Sequence, residues 1–178
     1  MGRPPAIDNN EILLLQLDTP LNLDLRVGAA ALDRDITQGS ARRDLLVGDA
    51  DVDDFMFGGG GNDRLNGLGG NDQLYGDRGN DLLIGENGND FFRGGLGRDV
   101  YVGGSGRDRF VLALGEGADV IRDFSRGDRI ALAGGLTTSQ VRVRDRGDNT
   151  LIFSGNQLLA TLIGVDASDL SRSSFVTV

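Results

Sequence analysis

The sequence predicts an all-β chain built around a right-handed parallel coil of short strands. Three observations carry that prediction: an unbroken nine-residue period in the middle of the chain, Gly at two fixed places in every period, and one large apolar residue near the end of each. Six consecutive units run GGGGNDRLN from Gly58, GLGGNDQLY from Gly67, GDRGNDLLI from Gly76, GENGNDFFR from Gly85, GGLGRDVYV from Gly94 and GGSGRDRFV from Gly103. Positions 1 and 4 are Gly and position 6 is Asp in all six, and position 8 is Leu65, Leu74, Leu83, Phe92, Tyr101 or Phe110. The period extends upstream in degenerate form. GDADVDDFMF from Gly48 carries one inserted residue and keeps Asp54 and Met56 in register, while GSARRDLLV from Gly39 keeps Asp44 and Leu46.

Each element follows from its residues. Gly at positions 1 and 4 admits positive φ, so the first six residues make a tight turn with carbonyls gathered on one side. Positions 7 to 9 allow only a brief strand, with position 8 pointing one way and its neighbours the other. Such a strand cannot bury its apolar residue alone, but stacked units form two parallel sheets that enclose the position 8 column. The expected architecture is therefore a parallel β-roll with two units per turn. Units 18 residues apart then lie above one another, placing Asp63, Asp81 and Asp99 along one edge and Asp54, Asp72, Asp90 and Asp108 along the other. Before the roll, Leu21, Leu23, Leu25 and Val27 alternate with polar residues as in a half-buried strand, and Ile12–Leu17 fits strand or helix. After it, residues 118–132 resemble the hairpin that follows such repeats in many secreted proteins, with Gly127 in the turn, and strand-like runs follow at Val141–Arg144, Thr150–Phe153 and Gln157–Ile163. The expected division is N-terminal capping strands over 1–38, the roll over 39–111 and a β-rich cap over 112–178.

Composition narrows the chemistry. The 178 residues include 29 Gly, 24 Asp, three Glu and 18 Arg, with no Lys, His or Cys, for a net charge of -9. Imidazole and thiolate chemistry are excluded, so a metal must be held by oxygen. The negative charge argues against a nucleic-acid partner. No apolar run nears the roughly 20 residues that span a bilayer, so no stable membrane insertion is expected. Ile12–Leu15 is shorter than the about 7 to 15 apolar residues of a cleavable signal peptide. Carboxylates stacked about 4.8 Å apart repel strongly unless a cation neutralises them. Calcium suits the task, because it takes about 6 to 8 oxygens in irregular geometry, carbonyls included.

The units G-G-x-G-x-D-x-U-x resemble the RTX (repeats-in-toxin) hemolysin-type calcium-binding repeat of type I secreted bacterial proteins. The resemblance implies that each ion sits between turns two units apart, on carbonyls of positions 2 and 4 and the Asp of the earlier unit, and on carbonyls of positions 1 and 3 and the Asp of the later one. It implies one site from Gly59, Gly61, Asp63, Gly76, Arg78 and Asp81, and a next from Asp77, Gly79, Asp81, Gly94, Leu96 and Asp99. On the other edge it implies a site from Leu68, Gly70, Asp72, Gly85, Asn87 and Asp90, and another from Glu86, Gly88, Asp90, Gly103, Ser105 and Asp108. At least four calcium ions are expected. The insertion near Asp51–Asp54 and the replacements Ser40 and Arg42 set Asp44 and Asp54 apart from these complete sites.

The functional expectation is a non-catalytic module that folds on binding Ca2+ outside a Gram-negative cell. Its implied partner is a type I exporter, with the export signal in the last several dozen residues. The alternative is a polysaccharide-binding, alginate-type, or protein-binding module of a larger secreted enzyme or toxin, with Phe55, Phe57, Tyr75, Phe91, Arg93 and Arg109 gathered on one outer face. Asp123, Asp128, Asp145 and Asp148 could pair as acid and base, but their places around short strands fit turn and solvent-facing residues better.

Overall fold

A computed structural model describes residues 36–178; the strand signals at Ile12–Leu17 and Leu21–Val27 lie outside the described residues. Short strands alternate between two sheets. Strands β1 (Ile36–Gln38), β3 (Phe55–Phe57), β5 (Gln73–Arg78), β7 (Phe91–Leu96) and β9 (Arg109–Leu112) stack in parallel in one sheet. Strands β2 (Leu45–Val47), β4 (Arg64–Asn66), β6 (Leu82–Asn87) and β8 (Val100–Ser105) do so in the other. Partners such as Leu74 and Phe92, or Leu83 and Tyr101, are 18 residues apart, so two units make one turn of the roll.

The alternation of side chains does what the sequence requires of it. Met56, Leu65, Leu74, Leu83, Phe92, Tyr101 and Phe110 are fully buried between the sheets, while positions 7 and 9 face outward. Phe92 stacks on Phe110 with ring centroids 5.0 Å apart and 16° between planes. Each fully buried large side chain contributes on the order of 1.5–3 kcal/mol, so every turn of the coil rests on two residues.

The parallel stack continues past the repeats. β10 (Asp119–Ile121) pairs with β8, and β11 (Arg129–Leu132) pairs with β9, each parallel and 20 residues on rather than 18. The expected boundary at 111/112 therefore falls inside the stack: a two-residue insertion after β9 is absorbed, and Ile121 and Ile130 extend the buried column. The hairpin expected over 118–132 is not formed, because β10 and β11 lie in opposite sheets. The local pattern of two short apolar runs around Gly127 is overridden by the stacking of each run on the turn before it.

The three later strands match the expectation. β12 (Val141–Arg146), β13 (Asn149–Ser154) and β14 (Gln157–Ile163) form an antiparallel meander joined to the roll through β14, which pairs in parallel with β10. Thr150 is buried, and its hydroxyl donates to the Val165 carbonyl at 2.7 Å. β15 (Phe175–Thr177) closes the first sheet against β11. Among the described residues no helix is long and apolar enough to cross a membrane.

Candidate metal centre

The turns between strands bring the position 6 aspartates into two ladders. The Asp63 N–H donates to Asp81 Oδ1 at 2.7 Å, and the Asp81 N–H to Asp99 Oδ1 at 2.8 Å. On the opposite edge the Asp54, Asp72 and Asp90 N–H groups donate to Asp72, Asp90 and Asp108 Oδ1 at 2.9, 2.8 and 2.9 Å. Asp72, Asp81, Asp90, Asp99 and Asp108 thus each spend one oxygen on the backbone 18 residues before them. These aspartates are all at most 3% exposed.

The second oxygen is the informative one. Oδ2 of Asp63, Asp72, Asp81, Asp90, Asp99 and Asp108 is buried without any hydrogen-bond donor. A buried carboxylate oxygen with no donor is costly, and an ordered fold tolerates it only with a partner of another kind. The surroundings fit a cation. A Cβ on Gly58 would fall 2.7 Å from Asp63 Oδ2 and 2.8 Å from the Gly76 carbonyl, so position 1 must be Gly for carboxylate and carbonyl to converge there. Among the described residues no group of three or more acidic, Cys or His side chains is placed to hold a metal ion by side chains alone. The donor set is instead two carboxylates with backbone carbonyls, which suits a hard, loosely coordinated ion such as calcium better than a transition metal.

The paired turns that the resemblance implies for each site are in contact. Gly61 and Gly79 N–H donate to the Arg78 and Leu96 carbonyls at 2.9 and 2.8 Å, and Gly70 and Gly88 N–H to those of Asn87 and Ser105 at 3.1 and 2.9 Å. The Arg78 and Asn87 N–H groups bond back to the Gly59 and Leu68 carbonyls. A carbonyl has two lone pairs, so each can accept such a bond and still face an ion. Leu68, Asp77 and Glu86 at position 2 adopt φ of 72°, 70° and 72°, a left-handed conformation that costs a residue with a Cβ about 1–2 kcal/mol.

Without a cation, burial first and neighbouring carboxylates second push Asp72, Asp81, Asp90 and Asp99 up to about 7, and Asp108 to about 6; Asp63 is raised by the same causes. The Asp63, Asp72, Asp81, Asp90 and Asp108 shifts are each opposed by the backbone N–H on Oδ1, which lowers them.

Two features escaped the sequence reading. Asp119 and Asp128 continue the ladders, accepting from the Asp99 and Asp108 N–H groups at 3.0 and 2.9 Å. Asp128 is 3% exposed, correcting its reading as solvent-facing. The signal was present, since Asp119 and Asp128 are nine apart, each two residues before an Ile. A second ladder runs along the rim at position 5, where Asn62, Asn71 and Asn89 Oδ1 accept from Asn80, Asn89 and Arg107 N–H. Of the four aspartates weighed as an acid and base pair, Asp123 holds the Gly103 and Gly104 N–H groups, while exposed Asp145 takes the Ala167 N–H.

Comparison with known proteins accords with this geometry. The extracellular lipase LipA from Serratia marcescens shares the fold, with a TM-score of 0.50 at 17% identity over 82% of this chain; the chain spans 38% of the lipase. Two subunits of the Azotobacter vinelandii mannuronan C5-epimerase also match. AlgE6R3 is 29% identical over 89% of this chain and 85% of its own, with a TM-score of 0.35; AlgE6R2 is 25% identical over 79% and 91%, with a TM-score of 0.46. No curated protein matches by sequence. The family model described as the RTX calcium-binding nonapeptide repeat (4 copies) matches residues 51–83 and 75–110. The segment with the glycine turns, aspartate ladders and parallel stack, residues 51–110, is thus the part of this chain that carries the RTX calcium-binding nonapeptide repeat.

Proposed function

We propose that the chain is a calcium-responsive folding module, in which ions occupy the four sites between paired turns and the roll forms only when they do. The observation that carries this reading is the set of six buried Oδ2 atoms with no donor. Calcium supplies the positive charge that lets facing carboxylates be buried together. Asp81 and Asp90 each border two sites, whereas Asp63, Asp72, Asp99 and Asp108 border one. Glycine turns hold the carbonyls on the same side, and the position 8 column locks the turns in register once the repulsion is removed. Two carboxylates per site and otherwise neutral oxygens suit an extracellular affinity of about 10⁻⁴ to 10⁻³ M.

The compartment follows from the same chemistry. A chain exported through a narrow type I channel must stay unfolded in a calcium-poor cytoplasm and fold outside, and mutually repelling aspartates provide that switch. The absence of Cys means that no disulfide can trap it on the way. The export signal is assigned to the last several dozen residues. Millimolar calcium should convert a largely disordered far-ultraviolet circular dichroism spectrum into a β spectrum, and equal magnesium should not; a chain already fully folded in chelator would refute the reading. Deleting roughly the last 50 residues should abolish secretion through a co-expressed type I exporter.

A second reading concerns the outer face of the first sheet. Phe57 stacks on Tyr75 at 4.9 Å and 10°, and Tyr75 meets Phe91 at 5.8 Å. Arg93 beside them is paired with Glu116 at 2.5 Å. A half-buried aromatic ladder of this kind suits the flat face of a sugar ring, so this surface is assigned to an acidic polysaccharide. Retardation on immobilised alginate that Tyr75→Ala removes would support it, and unretarded migration of the wild type would exclude it.

A further inference from the structure

The ladders do not end as they run. In the interior of the array each Oδ2 lacks a donor, but at every outer aspartate the corresponding oxygen is filled by the protein itself. At the C-terminal end the Tyr101 hydroxyl donates to Asp119 Oδ2 at 3.0 Å, and the Ser125 N–H donates to Asp128 Oδ2 at 2.7 Å. At the N-terminal end Ser40 donates its N–H and hydroxyl to Asp44 Oδ2 at 2.6 and 2.8 Å, and the Asp49 N–H donates to Asp54 Oδ2 at 2.8 Å.

Backbone geometry explains the contrast. From the unit at Gly58 to that at Gly103, position 2 has φ between 70° and 95°, whether Gly or not. Ser40 and Asp49 occupy the same position without positive φ. The sign of φ decides on which side of the chain a residue's own N–H lies, and these two N–H groups swing onto their unit's carboxylate. At the other end the two-residue insertion displaces the carbonyl column. Beside Gly58, Gly76 and Gly85 lies the position 1 carbonyl of the next turn, but beside Gly94 lies the Tyr101 hydroxyl and beside Gly103 the Phe110 ring edge. The Tyr101 hydroxyl also accepts the Gly94 N–H at 2.9 Å, so it bridges the gap as donor and acceptor.

We propose that each carboxylate column is closed at both ends by the protein's own hydrogen-bond donors, which confines calcium to the four interior sites. This rests on the calcium reading above and adds the number and limits of the ions. Tyr101 is a positioning residue at the boundary: its hydroxyl holds Asp119 where a further turn would place an ion. Asp44, Asp54, Asp119 and Asp128 are hydrogen-bond acceptors in the ladders and not ligands.

Equilibrium dialysis of the full chain against calcium, with bound metal measured by atomic absorption, tests this directly. The wild type should bind four ions at saturation. Asp119→Asn should keep that count, with a calcium midpoint within about twofold of the wild type, because the amide oxygen still accepts the Asp99 N–H, the amide NH2 can donate to a Tyr101 hydroxyl that turns to accept it, and the charge removed is one that no ion uses. Asp90→Asn should lose bound calcium and raise the midpoint about tenfold or more, since two sites share it. Five or more ions on the wild type, or an ion lost from Asp119→Asn, would overturn the proposal while leaving calcium-dependent folding intact. Absence of any bound ion would instead overturn the calcium reading itself. The wild-type count decides the matter even if a variant fails to fold.

Discussion

The repeat array and the meander that follows it solve the same problem by opposite means. In β12, β13 and β14 the apolar Ile152, Leu159, Ala160 and Leu162 are buried in continuity with the column of the roll, and the buried Thr150 hydroxyl finds a carbonyl within the fold. In the array each unit from Leu65 to Phe110 buries one large side chain at position 8, and with it comes one carboxylate whose second oxygen has no protein donor. A core of normal width offsets the entropy of ordering the chain; a single column flanked by buried like charges does not. The meander is accordingly expected to fold on its own terms, and the array to borrow its stability from bound cations.

The comparison is broken most severely from inside the column. Phe92→Ala removes a fully buried ring stacked on Phe110 and tilted against Tyr101. It should cost about 3–5 kcal/mol, enough to unfold the array even in saturating calcium while leaving the meander structured. Thermal unfolding in millimolar calcium should then lose its array transition; an unchanged melt would show that the column is not the core. Ligand loss should come next. Asp81→Ala and Asp90→Ala should raise the calcium midpoint for folding more than Asp108→Ala, and equal shifts in a circular dichroism titration would refute the assigned stacking.

A smaller effect is expected from pH. Asp72, Asp81, Asp90 and Asp99 have folded values of about 7 against an ordinary value of 3.8, so the folded, metal-free array binds more protons than the unfolded chain throughout that interval. Its stability is therefore greatest below about 3.8 and falls as pH rises through about 7. In chelator, acidification from about pH 8 to about pH 5 should increase β structure, and in calcium the same change should raise the midpoint, because protons compete with the ion. Identical chelator spectra at both pH values would contradict the burial of these carboxylates. The smallest expected change is a gain. Leu68→Gly relieves a left-handed backbone and should stabilise the calcium-bound roll by about 1 kcal/mol, whereas Leu65→Gly, in a strand, should destabilise it.

Much of this was legible in the residues. The nine-residue period carried the column from Met56 to Phe110 and the 18-residue stacking, because six copies of one pattern leave a single phase; the ligand set of each site came only from the family resemblance. The strands of the meander were legible from their alternation and from Gly147 and Gly155 between them. The last turn of the roll was not, because Leu114 and Arg126 stand where positions 1 and 4 should be Gly, and two inserted residues shift the phase before Asp119. Closure of the ladder ends was also hidden. It depends on the φ of Ser40 and Asp49 and on where the Tyr101 hydroxyl falls after the insertion, both set by stacking rather than by residue type.

The difference between the two regions is tested most directly by amide hydrogen exchange of the full chain, with and without calcium. Protection of the Asp63, Asp72, Asp81 and Asp90 N–H groups, each bonded to the next carboxylate of its ladder, should arise only in calcium, while amides of β13 and β14 should be protected in both conditions. Equal protection of the four aspartate amides in chelator would contradict the claim that a cation completes this fold.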